Sequence, residues 1–122
     1  MSKAFDFIQE CGSFFLLTVN GDFSAGRPFG AIMEQGQDLY ITTGDEKAVY
    51  RQMKQCGHVQ LLAMKPGTRS WLRVTGVAQE CFDLAVKARM LEQCPNLRKY
   101  HTSADEAHYN VFRVQVQDTE FY

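Results

Sequence analysis

The dipeptide Asn20-Gly21 is the strongest turn signal in the chain and the feature that most restricts its fold. It follows residues 13–19, a segment dense in phenylalanine, leucine, threonine and valine, as β-strands commonly are. Two strands should therefore flank the turn, and the second is expected to begin as late as Gly26 or Arg27. The first half of the chain then reads as an antiparallel meander.

Further strand-like segments follow in order. A turn over residues 34–37 leads to a third strand, and Pro66-Gly67 separates two long ones. The remaining predicted strands are residues 39–42, 58–65, 70–79 and 110–116, with residues 119–122 extending or re-pairing the last. Alternating apolar and polar residues in the final segment indicate a strand with one buried face.

Three segments have the features of helices. The first has Ser2 as its cap and ends at Gly12. The second is expected over residues 45–56 with Gly57 as its C-cap, and the third over residues 82–93, stopped by Pro95. The residues expected to face inward are Ala4, Phe5 and Ile8 in the first helix, Val49, Met53 and Cys56 in the second, and Leu84, Ala88 and Leu91 in the third.

Six or so mainly antiparallel strands with flanking helices predict a mainly β fold of the α+β class. We expect a small closed or nearly closed split β-barrel whose open parts are plugged by helices. The pattern alone does not separate a barrel from a sandwich. With 122 residues, of which 45% are hydrophobic, the chain is expected to form a single domain over residues 1–122.

Charge and composition exclude several classes of function. The formal net charge is −1 and no basic block stands out, so nucleic acid is not expected as a partner. No apolar run is long enough for a membrane span or a signal peptide, and we expect a cytoplasmic protein. The cysteines and histidines lack metal-ligand spacing, so no metal site is predicted.

One stretch carries a pattern suited to binding an anion. Arg27 lies in or before one predicted strand, Thr42 and Thr43 end another, and Lys47 falls in the first turn of the second predicted helix. Free backbone N–H groups and the helix dipole favour an anion at such a helix start. These residues therefore predict a phosphate site.

Each of these residues also has an ordinary structural explanation. An isolated arginine after a loop is commonly solvated, and Thr42 and Thr43 fit plain strand-end or helix-entry positions about equally well. Lys47 belongs with Arg51 and Lys54 to the polar face of an amphipathic helix, and that solvated face accounts fully for Arg51 and Lys54.

Six segments in order resemble a known family. They are Phe15-Leu16-Leu17-Thr18-Val19, Arg27-Pro28-Phe29-Gly30, Leu39-Tyr40-Ile41-Thr42-Thr43, Lys47-Ala48-Val49-Tyr50-Arg51-Gln52-Met53, Trp71-Leu72-Arg73-Val74-Thr75-Gly76 and Phe121-Tyr122. Together they resemble the FMN-binding split barrel of the pyridoxamine 5′-phosphate oxidase-like family over nearly the whole chain. The resemblance implies a homodimer that holds FMN at its subunit interface.

The resemblance also implies which residues contact FMN. Arg27 and Lys47 would bind the phosphate, and Thr42 and Thr43 would offer hydroxyl or backbone N–H groups to it. The other implied FMN-binding residues are Phe29, Gly30 and Ala31 beside the ring, Gln52, and Trp71 on the long strand after the helix. A lone tryptophan in a small barrel is otherwise most often a core residue.

The function that the resemblance implies is that of an FMN-binding oxidoreductase-like protein with a small-molecule electron donor or acceptor. No catalytic residue is assigned, because the chemistry belongs to the flavin. One alternative is a non-catalytic module that holds a flavin, a deazaflavin or haem, and another is a barrel without a cofactor. Asp45 and Glu46 favour the last, because carboxylates in the same pocket would repel a phosphate.

Overall fold

The computed structural model describes residues 2–122, which form three α-helices, a short 3-10 helix and seven β-strands. The helices are α1 (Lys3–Cys11), α2 (Ala48–Gln55) and α3 (Leu84–Gln93), and the 3-10 helix spans Pro95–Lys99. The strands are β1 (Phe14–Asn20), β2 (Phe23–Phe29), β3 (Met33–Gln35), β4 (Asp38–Thr43), β5 (His58–Met64), β6 (Trp71–Cys81) and β7 (Asn110–Phe121). None of the helices in this part of the chain has the length and apolar character needed to cross a membrane.

The seven strands form one antiparallel sheet in the order β2-β1-β5-β6-β7-β4-β3. Strands β2 and β3 are its edges, yet only residues 30–32 connect them. Six interstrand steps of about 4.8 Å would hold the edges of a flat sheet about 29 Å apart. The link from Phe29 to Met33 reaches about 15 Å at most. The sheet must therefore curl, which confirms the predicted split barrel.

The hairpin predicted at Asn20-Gly21 is present. Gly21 has φ 61°, a left-handed conformation that glycine adopts without strain. Asn20 pairs directly with Phe23, so β2 begins immediately after the turn. The expected start at Gly26 or Arg27 is wrong, because a two-residue turn keeps the two strands paired from their first residues.

The second helix is shorter than predicted, because it begins later and ends earlier. It begins at Ala48 rather than at residue 45, because the chain first makes a turn in which Lys47 N–H donates to the Gly44 carbonyl at 3.1 Å. Its C-cap is Cys56, not Gly57. Gly57 instead allows a close approach to β6, where a Cβ would lie 2.6 Å from the Ala78 carbonyl oxygen. The first helix is as predicted, capped by the Ser2 hydroxyl and ended by Gly12.

Two apolar clusters cover the two faces of the sheet. The larger fills the barrel beneath α1 and α2, and its strand residues include Phe14, Leu16, Leu39, Ile41, Val59, Leu61, Leu72, Val74, Phe112 and Val114. The smaller lies under α3 and comprises Met33, Tyr40, Val86, Met90, Leu91, Cys94, Tyr109 and Val111. Helix α2 therefore packs on the barrel interior, and α3 packs on the opposite face of β4 and β7.

The inward face of α3 differs from the predicted one. Leu91 is buried, but Leu84 and Ala88 are exposed, and Val86 and Met90 pack on the sheet in their place. The helix also begins two residues later than predicted, at Leu84. Apolar residues occur on more than one side of this helix, so its sequence is compatible with two different buried faces. Packing on the sheet decides which face is buried.

Gly76 should be essential to the pairing of β6 with β7. It lies at a register shift between these strands, where an added Cβ would come within 2.6 Å of the Gln115 carbonyl oxygen. We expect Gly76→Ala to lower the free energy of unfolding by about 1–3 kcal/mol. At Gly26 the added Cβ meets only the Leu17 side chain at 3.5 Å, so Gly26→Ala is a matched control. Urea unfolding followed by the fluorescence of Trp71 measures both, and equal losses would contradict the steric argument.

Candidate functional site

Arg27 holds β2 and β1 against α2. Its Nη1 donates to the Thr18 hydroxyl at 2.8 Å and to the Leu16 carbonyl at 3.2 Å, and its Nη2 donates to Gln52 Oε1 at 2.7 Å. Arg27 pairs with Leu16 across the strands, so it points to the barrel interior, and burial lowers its pKa. The alternative of a solvated loop residue is therefore wrong. Two of its five N–H groups keep no partner among residues 2–122.

Gln52 is the other predicted residue in this network. Its side-chain oxygen accepts from Arg27 and, at 2.6 Å, from the Thr18 hydroxyl. The structure thus brings two predicted residues, Arg27 and Gln52, into direct contact. Thr18 was not predicted, although it is the one polar residue at a buried position of β1, and that interruption of the apolar alternation was an available signal.

The two predicted threonines lie at the end of β4 but face opposite sides of the sheet. Thr42 donates its hydroxyl to the Asn110 carbonyl at 2.9 Å, whereas Thr43 is buried on the other face. Adjacent strand residues cannot direct both hydroxyls at one atom on one side of the sheet. Any shared contact of this pair with a ligand must therefore use backbone groups.

Lys47 is the N-cap residue of α2 rather than a residue of its first turn. Its side chain is exposed, and within residues 2–122 no side chain caps this helix. The first N–H groups of a helix lack intrahelical acceptors, so the start of α2 presents donors together with an exposed ammonium group. This arrangement is suited to an anion.

The two carboxylates of the same turn are engaged by a histidine. His108 Nδ1 lies 2.6 Å from Asp45 Oδ1 and 3.4 Å from Glu46 Oε2. Hydrogen bonds with Asp45 raise the pKa of His108, and those with His108 lower the pKa of Asp45. The sequence assigned His108 no role, because no local pattern links residues 63 positions apart. These contacts account for the cluster, and no metal is assigned to it.

A buried carboxylate fixes the other flank of α2. The Glu80 side chain is only 3% exposed and accepts from Tyr50 Oη at 2.7 Å, Lys54 Nζ at 3.0 Å and Asn110 Nδ2 at 3.2 Å. Burial acts to raise the pKa of Glu80, but these hydrogen bonds outweigh it and lower the pKa. The pKa of Tyr50 rises to about 12, mainly through its bond to Glu80. Lys54 lies on the exposed face of α2, as predicted, and in addition forms an ion pair with Glu80.

Two open clefts lie on the outer face of the sheet, defined here as the side chains of β1, β5 and β6 that point away from the barrel core. One cleft of about 520 Å³ lies beside the β1–β2 hairpin. Its lining includes Leu17, Thr18, Phe23, His58, Gln60 and Thr75. Thr18 is also part of the lining, but its hydroxyl bonds Arg27 and Gln52 on the inward side of β1, so the sheet separates this cleft from the Arg27 network. Its volume is in the range of small-molecule sites.

The second cleft, of about 510 Å³, is apolar and contains Trp71. Trp71 is half-exposed on the outer face, so the alternative of a core tryptophan is wrong. It stacks on Tyr122 with ring centroids 4.2 Å apart, and the Arg73 guanidinium lies 5.0 Å from the Trp71 ring centroid. Trp71 points to the face opposite Arg27, because Leu72 and Val74 of β6 face the barrel interior.

Three predicted ring contacts lie along the link between the two edge strands. Phe29 ends β2 and packs on Phe14 with ring centroids 6.0 Å apart. Gly30 and Ala31 follow it in the connection to β3, and Ala31 packs against the cluster under α3. Phe14, which packs on Phe29, is also in the lining of the cleft that contains Trp71.

Comparison with known proteins agrees with this architecture. The family model described as pyridoxamine 5′-phosphate oxidase matches residues 2–122. A NimC/NimA family protein from Clostridium acetobutylicum has 29% identity and a TM-score of 0.86, over 98% of this chain and 89% of that chain. No curated protein matches.

Two more distant solved structures share the fold. An F420 reductase has 18% identity and a TM-score of 0.71, over 94% of each chain. A heme binding protein from Mycobacterium smegmatis has 15% identity and a TM-score of 0.77, over 95% of this chain and 50% of that chain. The fold is therefore shared by proteins named for different ligands. Because the family model covers the whole described chain, this protein belongs to the pyridoxamine 5′-phosphate oxidase family.

Proposed function

We propose that this protein binds FMN through the start of α2. The observation that carries the proposal is the exposed Lys47 at a helix N-terminus that no side chain within residues 2–122 caps. A phosphate there would accept from the ammonium and from the first backbone N–H groups of the helix. Arg27 supports the site indirectly, because its hydrogen bond to Gln52 fixes the position of α2. Its side chain also keeps two N–H groups for a ligand.

The proposed position of the flavin ring is the outer-face cleft of about 520 Å³ in a second copy of the chain, because α2 packs on the inner side of the sheet and its phosphate site faces away from this cleft in the same chain. When bound, FMN supplies hydride or single-electron transfer at its ring. The chain's own contribution is to orient the ring and to limit water access, since Leu17 and Phe23 provide apolar walls and Gln60 and Thr75 provide hydrogen-bonding groups. Electrons would pass to or from a small-molecule donor or acceptor, as in an oxidoreductase.

The proposal includes a homodimer. Several large apolar side chains of the outer face and the C-terminus are exposed, among them Phe15 at 56%, Met64 at 58% and Tyr122 at 55%. A patch of this kind usually marks an interaction surface. A second copy of the chain would cover it and would add a wall to each cleft, which is how Trp71 and Arg27 could serve one ligand from different chains. The four free cysteines accord with the proposed cytoplasmic location.

A second candidate function is a non-catalytic module that holds a flavin, a deazaflavin or haem. The lining of the cleft beside Thr18 favours it, because it includes His58 and a histidine is a common axial ligand of haem iron. Turnover of the reduced, flavin-loaded protein by an added electron acceptor separates the two candidates. Rapid reoxidation supports the oxidoreductase, and a reduced flavin that persists supports the module.

The first experiment is a binding comparison between FMN and riboflavin, which lacks the phosphate. We expect the protein to retain about one FMN per chain, as two-fold symmetric sites would, and to bind riboflavin at least about tenfold more weakly. Visible absorption after removal of free ligand measures retention, with F420 and haemin as parallel probes. Equal affinity for FMN and riboflavin would contradict the phosphate site, and retention of haemin or F420 alone would replace FMN as the ligand.

A further inference from the structure

The turn before α2 brings negative charge to the position proposed for the phosphate. Asp45 and Glu46 directly precede Lys47, and left free they would repel an anion at the helix start. In the fold, both carboxylates lie against His108, whose Nδ1 is 2.6 Å from Asp45 and 3.4 Å from Glu46. His108 reaches them from the loop between the 3-10 helix and β7. It is thus the side chain that decides how much of this negative charge an incoming anion meets.

We propose that His108 is a positioning residue for the phosphate of FMN: it holds Asp45 and Glu46 away from the ligand and, when protonated, cancels one of their charges. The inference rests on the proposed function, since it concerns the phosphate at the start of α2. His108, whose side chain is 69% exposed, then has a role in ligand affinity. It also explains how an acidic turn is compatible with an anion site.

The charges around His108 are few. Asp45 and Glu46, from the turn before α2, are the charged groups that face it. Glu106, in its own loop, is turned instead toward Thr102 and His101. With His108 protonated, the three side chains of the cluster sum to −1, and with His108 neutral they sum to −2. Contacts with Asp45, then Glu46, raise the pKa of His108 above the usual 6.5, so the change occurs at a higher pH than for a free histidine.

The expected consequence is a pH-dependent part of FMN affinity. As pH rises through the pKa of His108, the cluster gains one net negative charge and the bound phosphate is repelled more strongly. A unit charge several ångströms from a phosphate near the surface changes affinity by about three- to fivefold after screening. The phosphate of free FMN also titrates, so the effect of His108 must be isolated by comparison with variants.

Two substitutions isolate the effect of His108 on FMN affinity. His108→Gln keeps a hydrogen-bond donor but carries no charge, and His108→Arg stays positive throughout the range tested. FMN affinity is measured for the full chain and both variants at about pH 6 and about pH 9, on either side of the histidine titration, with riboflavin as the probe without phosphate. Ratios to the unsubstituted protein cancel the titration of FMN itself.

At the lower pH we expect His108→Gln to bind FMN about three- to fivefold more weakly than the unsubstituted protein, and at the higher pH equally well. His108→Arg should match the unsubstituted protein at the lower pH and bind more tightly at the higher. Riboflavin affinity should not change. A loss for His108→Gln that is the same at both pH values indicates a merely structural role and overturns the inference alone. Absence of FMN binding at every pH overturns the proposed function and the inference with it.

Discussion

We expect Lys47→Glu to weaken FMN binding by about 100-fold, because it removes a charge-assisted hydrogen bond and places a carboxylate beside the phosphate. Lys47 is exposed, and its side chain makes no capping bond to α2. A negative side chain at the start of a helix interacts favourably with the helix dipole, so the substitution should leave the helix intact. The loss of affinity would then report on the ligand rather than on folding.

Arg51→Glu is the matched control. Arg51 is an exposed residue of the same helix, four positions and about 6 Å along the axis from Lys47. It undergoes the same change of charge without a proposed contact to the phosphate, and we expect an effect of about tenfold or less on FMN, well below that of Lys47→Glu. Lys54 cannot serve, because its ammonium lies 3.0 Å from the buried Glu80. Arg27 is equally unsuitable, because its bonds to Thr18 and Gln52 make a substitution a folding defect as well.

Flavin fluorescence during titration measures both variants, and far-ultraviolet circular dichroism verifies that each is folded. Riboflavin provides the reference, since its affinity should be the same for both variants within about twofold. Similar losses of FMN affinity for Lys47→Glu and Arg51→Glu would place the phosphate elsewhere than the start of α2. A loss shared by FMN and riboflavin would point to the ring cleft instead.

The parts of the fold that the sequence predicted are those decided by neighbouring residues. The hairpin at Asn20-Gly21 needs only a backbone that adopts positive φ, and Gly21 adopts φ 61°. Helix α1 needs a cap and a stop, and Ser2 and Gly12 provide them within the same segment. The split barrel was expected from the number of mainly antiparallel strands and from the family resemblance, and the short link between the two edge strands confirms it.

The parts it missed depend on contacts between distant segments. Asp45 was expected in the second helix but turns to His108, 63 positions along the chain. The hydrogen bond from Arg27 to Gln52 joins residues 25 positions apart. The sequence predicted each of these residues separately but not the bond between them. Glu80 occupies an inward position in the alternation of β6, so its burial could be read from the strand pattern. The three hydrogen-bond donors to Glu80 come from other elements, and no local sequence pattern predicts them.

Glu80 is the position at which we expect the largest loss of stability. We expect Glu80→Ala to lower the free energy of unfolding by about 3 kcal/mol, because it leaves three donors without their shared acceptor. Those donors belong to Tyr50, Lys54 and Asn110, so the carboxylate ties α2 to β6 and β7. Together with the bond from Arg27 to Gln52, it holds α2 from both flanks.

Glu10→Ala is the control for this prediction. Glu10 also accepts from a lysine, Lys65 at 2.9 Å, but its side chain is 62% exposed. Solvent-exposed ion pairs contribute about 0–1 kcal/mol, so this variant should lose far less stability than Glu80→Ala. Urea unfolding followed by Trp71 fluorescence compares the two. Equal losses would mean that the Glu80 cluster contributes no more than a surface pair.

The pH dependence of stability tests whether the charge of Glu80 causes this stabilisation. Because the pKa of Glu80 is lowered in the folded chain, its stabilising contribution is present above the ordinary value of 4.5 and is lost as pH falls through the lower folded value. The difference in stability between the unsubstituted protein and Glu80→Gln should therefore be constant from about pH 6 to 8 and should shrink below about pH 4.5. A difference that stays constant into acid would assign the effect to packing. Since α2 carries both Lys47 and Gln52, the same acid range should also release FMN from the proposed site.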